Sequence, residues 1–290
     1  MTIFSRIAVF LEMIKFPHTL FALPFALTGA LLAARGIPSA AQLFWIVMAM
    51  VGARTAAMAL NRLIDAGIDA GNPRTAARAI PAGLISRGSV AGYIVLSLTL
   101  LLYAAYRLNP LCLKLAPVAI FFLLLYSYCK RFTALAHIVL GVCLAAAPIG
   151  AWIAIRGAIE LPPLLLGAAV LFWVAGFDIL YALQDLEFDK KAGLHSIPVR
   201  LGVRGSLLLA RIFSVVTIVF LIWLTLLMQL GTPFNSGIVA AALLLCYEHW
   251  LVRDGDLARL DLAFFTMNGY VSVIILVATI AEIMISGGAA

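Results

Sequence analysis

The chain is short of charge. Only 11% of its 290 residues are Asp, Glu, Lys or Arg, where soluble domains carry about 25%. With 64% hydrophobic residues beside it, that shortage excludes an ordinary water-soluble fold. No hydrophilic block is long enough to form a soluble domain, and there is no Ser/Gly linker or low-complexity tract. One transmembrane domain is therefore expected over residues 1–290. Cysteine is equally sparse. Cys112, Cys129, Cys143 and Cys246 form no Cys-x-x-Cys pair and all lie in or at apolar stretches, so they read as small buried apolar residues rather than disulfide or metal ligands. His18, His137 and His249 are scattered without metal-ligand spacing, and His195 stands apart in a loop where it is placed to close over a substrate.

What the chain has in abundance is apolar runs. Nine spans are expected, near 16–34, 40–60, 89–107, 110–129, 134–155, 161–184, 206–230, 233–250 and 264–286. Each has roughly the 17–25 residues that cross ~30 Å of hydrocarbon as a helix. A backbone in lipid must satisfy its own hydrogen bonds, so the expected fold class is all-α and polytopic, nine helices around a central cavity. The first span is too long for the apolar core of a signal peptide and follows Glu12 and Lys15, so it reads as a retained helix.

The net charge of +7 has an explanation in topology rather than in nucleic acid. Fifteen Lys and Arg fall on the N-terminal side and in alternate loops (Arg6, Lys15, Arg62, Arg74, Arg78, Arg87, Lys130, Arg131, Lys190, Lys191, Arg200, Arg204, Arg211, Arg253, Arg259). Four fall opposite (Arg35, Arg107, Lys114, Arg156), and Arg54 lies inside a span. Positive charge stays inside, which puts the N-terminus in the cytoplasm and the C-terminus outside.

Aspartate is the scarce residue that carries the message. Of eight Asp, four sit in two Asp-x-x-x-Asp motifs, Asp65/Asp69 and Asp185/Asp189, each at the cytoplasmic mouth of an apolar helix. Polar groups near the bilayer interior are costly and are kept for function. Carboxylates one helical turn apart make a hard-oxygen site suited to Mg²⁺ and a diphosphate. After each motif comes a basic loop with Ile-Pro and Gly, Ile80-Pro81/Gly83 and Ile197-Pro198/Gly202, the pattern of two related halves. At about 100° per residue, Arg54, Asn61, Asp65 and Asp69 share one face, continued by Asn72. Asp178, Asp185 and Asp189 share another, with Tyr181 beside them. Arg54 and Asp178 then lie about 10 Å deeper than Asn61 and Asp185. They are either deep site residues or a structural buried ion pair. Two such faces brought together enclose a cavity for an anionic head and a long apolar tail. Asp254, Asp256 and Asp261, in a short mixed-charge loop, read as solvated.

The first stretch reads Asn61-Arg62-x-x-Asp65-x-x-x-Asp69-x-x-Asn72-x-Arg74-Thr75-x-x-Arg78-x-x-Pro81-x-Gly83. The second, about 120 residues on, reads Tyr181-x-x-Gln184-Asp185-x-x-x-Asp189-Lys190-Lys191-x-Gly193-x-His195-Ser196-x-Pro198. Between them stands Tyr126-Ser127-x-x-Lys130-Arg131-Phe132-Thr133, and Lys15-x-Pro17-His18-Thr19 opens the chain. In order and spacing these resemble the signatures of the UbiA superfamily of intramembrane prenyltransferases, and the second motif resembles its 4-hydroxybenzoate branch and the naphthoate-using relatives. The chain departs in having Arg62 where some members have Asp, which gives the site one carboxylate fewer and one cation more, and Ala79 where Pro often stands.

The resemblance implies a Mg²⁺-dependent transfer of a polyprenyl group from its diphosphate to a hydroxylated aromatic acid, in quinone synthesis at the inner membrane of a bacterium, with no obligate protein partner. Asp65, Asp69, Asp185 and Asp189, with Asn61, would hold the metal. Arg62, Arg74, Arg78, Lys130 and Lys191 would balance phosphate charge. Tyr126 and Tyr181 would face the allylic cation. Arg54 would pair with the acceptor carboxylate and Asp178 would orient the phenol or take the ring proton. The acceptor is 4-hydroxybenzoate or 1,4-dihydroxy-6-naphthoate. A secondary transporter is the alternative of another class, though it would place its ion site at midplane rather than at helix mouths. The Asp pattern of a CDP-alcohol phosphotransferase is not evident.

Overall fold

The computed structural model describes residues 9–14, 22–252 and 267–287. Lys15, His18 and Thr19, the loop with Asp254, Asp256 and Asp261, and the beginnings of the first and last expected spans lie outside the described residues. Among the described residues all regular structure is helical: α1 (Leu23–Ala34), α2 (Ala40–Gly71), α3 (Arg87–Leu108), α4 (Pro110–Cys129), α5 (Ala136–Arg156), α6 (Leu161–Ala182), α7 (Leu186–Lys191), α8 (Ile197–Met228), α9 (Thr232–Leu251) and α10 (Asn268–Gly287). Seven helical spans are long and apolar enough to cross a membrane, one of them running on from α6 through α7. The other two expected positions hold α1, with 12 residues, and α9. This is a multi-pass membrane protein.

The helix ends follow from local chemistry. Ser39 opens α2 in a capping box with Gln42, each side chain satisfying the other's backbone N–H. Ser86 caps α3 and Ser196 caps α8, and Pro stands in the first turn of α1, α4, α6, α8 and α9, where its missing N–H is no loss. Asn109 closes α3 and opens α4, accepting from the Cys112 N–H at 2.9 Å, while its amide donates to the Ile153 carbonyl at 2.7 Å and pins that corner to α5. Ser196 and Pro198 start α8 at Ile197, nine residues before the expected 206, and Gly202 at φ 64° bends the helix there.

Helices adjacent in sequence pack side by side, α6 also lies along α8, and α10 returns against α1 to complete the bundle. Close approach depends on missing side chains. A Cβ on Gly29 of α1 would lie 2.5 Å from the Pro148 carbonyl of α5, and one on Gly141 of α5 would lie 2.5 Å from the Leu171 carbonyl of α6. Gly52 of α2 meets the α3 backbone in the same way. The solid core lies to one side, where Phe25, Trp173, Leu221, Phe234 and Ile275 are nearly fully buried. The other side, bounded by α2 to α6, is hollow.

Candidate active site

The hollow has a volume of about 1080 Å³. Its body is apolar, lined by Ile46, Leu101, Leu115, Phe122, Leu144 and Leu171 among others. One end is charged, and both aspartate motifs reach it: Asp65, Asp69, Asp185 and Asp189 all line the cavity, with Asn61, Arg62, Asn72, Arg74, Arg78 and Lys130. The two motifs, 120 residues apart in sequence, meet across one space, as their helical faces imply.

On α2 the helical period puts Asp65 and Asp69 on one face, both buried. The Asn61 amide donates to Asp65 Oδ2 at 3.0 Å, and Arg62 reaches the Asn61 carbonyl oxygen at 3.4 Å. Lys130 Nζ lies 2.6 Å from Asp65 Oδ2 and Arg131 Nη2 3.1 Å from Oδ1. Arg78 donates to Asp69 Oδ1 at 2.6 Å. On the opposite wall, Asp185 accepts from the Asn72 amide and from Arg74 Nε, both at 2.9 Å, and Arg74 Nη2 completes a two-pronged ion pair. Arg74 Nη1 donates to the Tyr181 hydroxyl at 3.1 Å, and its guanidinium lies 5.3 Å from the centre of that ring. Burial works against the Arg74 charge, but the hydrogen bonds and ion pair with Asp185 outweigh it and hold the guanidinium above its ordinary pKa.

Deeper, Arg54, Tyr126 and Asp178 line the cavity as expected. Arg54 and Asp178 do not pair. Asp178 is joined instead to His137 of α5, Nδ1 to Oδ2 at 2.7 Å, while Arg54 Nε is buried without a hydrogen-bond partner. Lys191 is exposed and outside the cavity lining, because α7 turns it away. His195 does line the cavity, and its N–H donates to the Lys130 carbonyl at 2.8 Å, tying the loop after the second motif to the end of α4.

Sequence reasoning missed His137, Arg131 and Asn72 as partners of the aspartates. Arg131 and Asn72 stand inside the quoted motifs, so adjacency was a signal for them. His137, alone on an apolar helix, gave none.

The donor set suits a divalent ion shared with phosphate. Asp69 Oδ2 is buried and accepts no hydrogen bond, and Asp65 Oδ1 meets only the Arg131 guanidinium in an ion pair, which leaves lone pairs for a hard cation. Among the described residues no three His, Cys, Asp or Glu side chains gather into a closed cage. Magnesium needs none, since it is ordinarily held by one or two carboxylates together with substrate phosphates.

Known proteins of this architecture share most of the chain's length. A 4-hydroxybenzoate octaprenyltransferase of Vibrio campbellii is 30% identical over 85% of this chain and 86% of its own. A UbiA homolog from Aeropyrum pernix K1 superposes with a TM-score of 0.85 at 32% identity, covering 92% of this chain and 98% of the other. A UbiA homolog from Archaeoglobus fulgidus, solved with GPP and Mg²⁺, has the same fold at a TM-score of 0.72 and 23% identity, covering 95% of this chain and 99% of the other. The UbiA prenyltransferase family matches residues 22–270, from before α1 to the first turn of α10, and the chain belongs to that family.

Proposed function

We propose that the protein transfers a polyprenyl group from a polyprenyl diphosphate to a ring carbon of 4-hydroxybenzoate in respiratory quinone synthesis, as the names of its relatives suggest. The observation that carries this reading is the joining of a charged end to a long apolar body in one cavity. A diphosphate fits the first and an isoprenoid tail the second. A transported ion would use neither the basic loops nor the apolar volume.

Asp65, Asp69, Asp185 and Asp189, with Asn61 adding an oxygen, would hold magnesium, which would supply positive charge to the departing diphosphate. The chain's own cations do the rest. Arg62, Arg74, Arg78 and Lys130 line the same end and exchange carboxylate for phosphate oxygens, stabilising charge that grows as the C–O bond breaks. The apolar walls keep water from the allylic cation, and the Tyr126 and Tyr181 rings offer it their negative faces. Arg54, with its Nε unpartnered, offers a bidentate contact to the acceptor carboxylate. The excess of Lys and Arg on one side orients the charged mouth to the cytoplasm of a bacterial inner membrane.

The test is prenyl transfer by the purified protein in detergent with Mg²⁺, geranyl diphosphate and either 4-hydroxybenzoate or 1,4-dihydroxy-6-naphthoate. Prenylated 4-hydroxybenzoate supports the proposal. Product from the naphthoate alone moves the same chemistry to a menaquinone route, and no product from either overturns it. Arg54→Ala is expected to weaken acceptor binding and leave prenyl diphosphate binding intact.

A further inference from the structure

Ring prenylation has a second half that the charged end of the cavity does not serve. When the allylic carbon bonds to the ring, that ring carbon still bears its hydrogen, and the ring carries a positive charge. The C–H bond must break, its electron pair returning to the ring, and a base must take the proton. Asp65, Asp69 and Asp185 at the mouth are engaged by Lys130, Arg131, Arg78, Arg74 and Asn72, and Asp189 belongs with them to the metal-binding set.

We propose that His137 is this base, with Asp178 as its positioning residue. The inference rests on the aromatic transfer proposed above. Both side chains line the cavity, on α5 and α6. Asp178 lies seven residues before Asp185 on the α6 side, about 10 Å deeper along the helix axis. A prenyl diphosphate with its head at the mouth would direct its reacting carbon inward, toward the side on which Asp178 stands. The Asp178 carboxylate has only acceptors to offer, so His137 Nδ1, 2.7 Å away, carries the hydrogen of that bond. In the neutral imidazole Nε2 is then left with a lone pair. It is buried and has no partner, an expensive arrangement unless something arrives to use it. The aspartate fixes the tautomer and ring orientation and stabilises the imidazolium once the proton is taken. The other ionisable groups that line the cavity on the helices around this pair include Arg54 from α2, Tyr126 from α4, Cys143 from α5, Tyr181 from α6, Asp189 from α7 and His195 from the loop after it. Arg54 and Tyr126 are poor bases, and Asp189 belongs to the metal-binding set. The proton then passes to the departing diphosphate or to water. The step balances as prenyl diphosphate plus acceptor giving prenylated acid, diphosphate and one proton.

The experiment compares wild type, His137→Gln and Asp178→Asn in detergent, with ordinary and ring-deuterated 4-hydroxybenzoate. Geranyl diphosphate binding, measured separately, reports intact folding. In the wild type proton loss follows C–C bond formation quickly and no primary isotope effect is expected. In His137→Gln, kcat should fall about 10²- to 10⁴-fold with KM little changed, and a primary deuterium effect should emerge as C–H cleavage becomes limiting. Asp178→Asn should show the same emergence, because an Asn amide donating to Nδ1 forces the hydrogen onto Nε2. A purely structural pair would lower activity without any isotope effect, and that result, or unchanged kcat in both variants, overturns the proposal. A wild type that prenylates no ring overturns the transfer reading itself, and this one with it. Should either variant not fold, the other carries the same readout.

Discussion

Asp65 and Asp69 stand one turn apart on α2, an unbroken helix of 32 residues, whereas Asp185 and Asp189 straddle a break, with the 3-10 turn Leu183–Asp185 on one side and the six-residue α7 on the other. The spacing in sequence is the same and the backbone beneath it is not. The first pair is also the more deeply set, with the Asp65 side chain 2% exposed against 19% for Asp185. Their partners differ in kind as well. Asp65 is held by cations from the end of α4, but Asp185 is held by Asn72 and Arg74, which belong to the loop after the first motif. The first motif is a fixed wall, and the second is a counterpart that the first motif's own loop reaches across to grasp. A repeated sequence pattern thus yields one rigid and one jointed half of a site.

If both halves serve the diphosphate, Asp65→Ala and Asp185→Ala should each lower prenyl transfer by at least about 10³-fold, as loss of a principal charge-stabilising group does. A variant retaining a tenth or more of its activity, read by product chromatography, would mean one motif is dispensable and the symmetry only apparent. The bridge between halves comes next. Arg74→Ala removes bonds to Asp185 and Tyr181 together, and with the equivalent of one hydrogen bond to a charged group, about 1.5–3 kcal/mol, expressed in the transition state, kcat/KM should drop about 10- to 100-fold. Arg78→Ala, which loses one bond within the first half, should fall at the lower end of that range. Equal effects would deny Arg74 its bridging role. A smaller effect tests the continuity of α2. Gly67 lies between Asp65 and Asp69 with no atom within 4 Å of where its Cβ would be, so Gly67→Ala should raise stability by about 0.5–1 kcal/mol, seen as a higher Tm. A loss would indicate that the first motif too needs a flexible joint. Least of all, Lys191→Ala should change stability and kcat/KM by no more than about 0.5 kcal/mol, the range of surface substitutions.

Much of this was legible in the chain because a bilayer forces sequence to declare itself. Apolar runs of spanning length became helices at nearly the expected places, and carboxylates too costly to keep idle marked the site. The helical period placed Arg54, Asn61, Asp65 and Asp69 on the cavity together. The illegible parts are those that depend on a second helix. The break at Leu183 has no Gly or Pro to announce it. Of the two readings of Arg54 and Asp178, the ion pair is not formed, because His137, on a helix that composition marks as merely apolar, presents a nearer nitrogen to Asp178. Lys191 looked like a phosphate ligand by proximity to Asp189, but two residues along a helix is a turn of about 200°, away from the cavity.

The glycine contacts between helices have a consequence for what the protein can accommodate. At Gly52 and Gly141 the cavity-forming helices touch main chain to main chain, and at Gly29 α1 braces α5 in the same way, so the frame has no side chains there that can rotate to make room. Its bore is set as in a cast rather than a glove. Any descendant of this sequence that takes a bulkier ring or a differently shaped tail must find the space by exchanging the residues that project inward, such as Ala53, Ala119 and Ala147, while the joints between helices stay as they are.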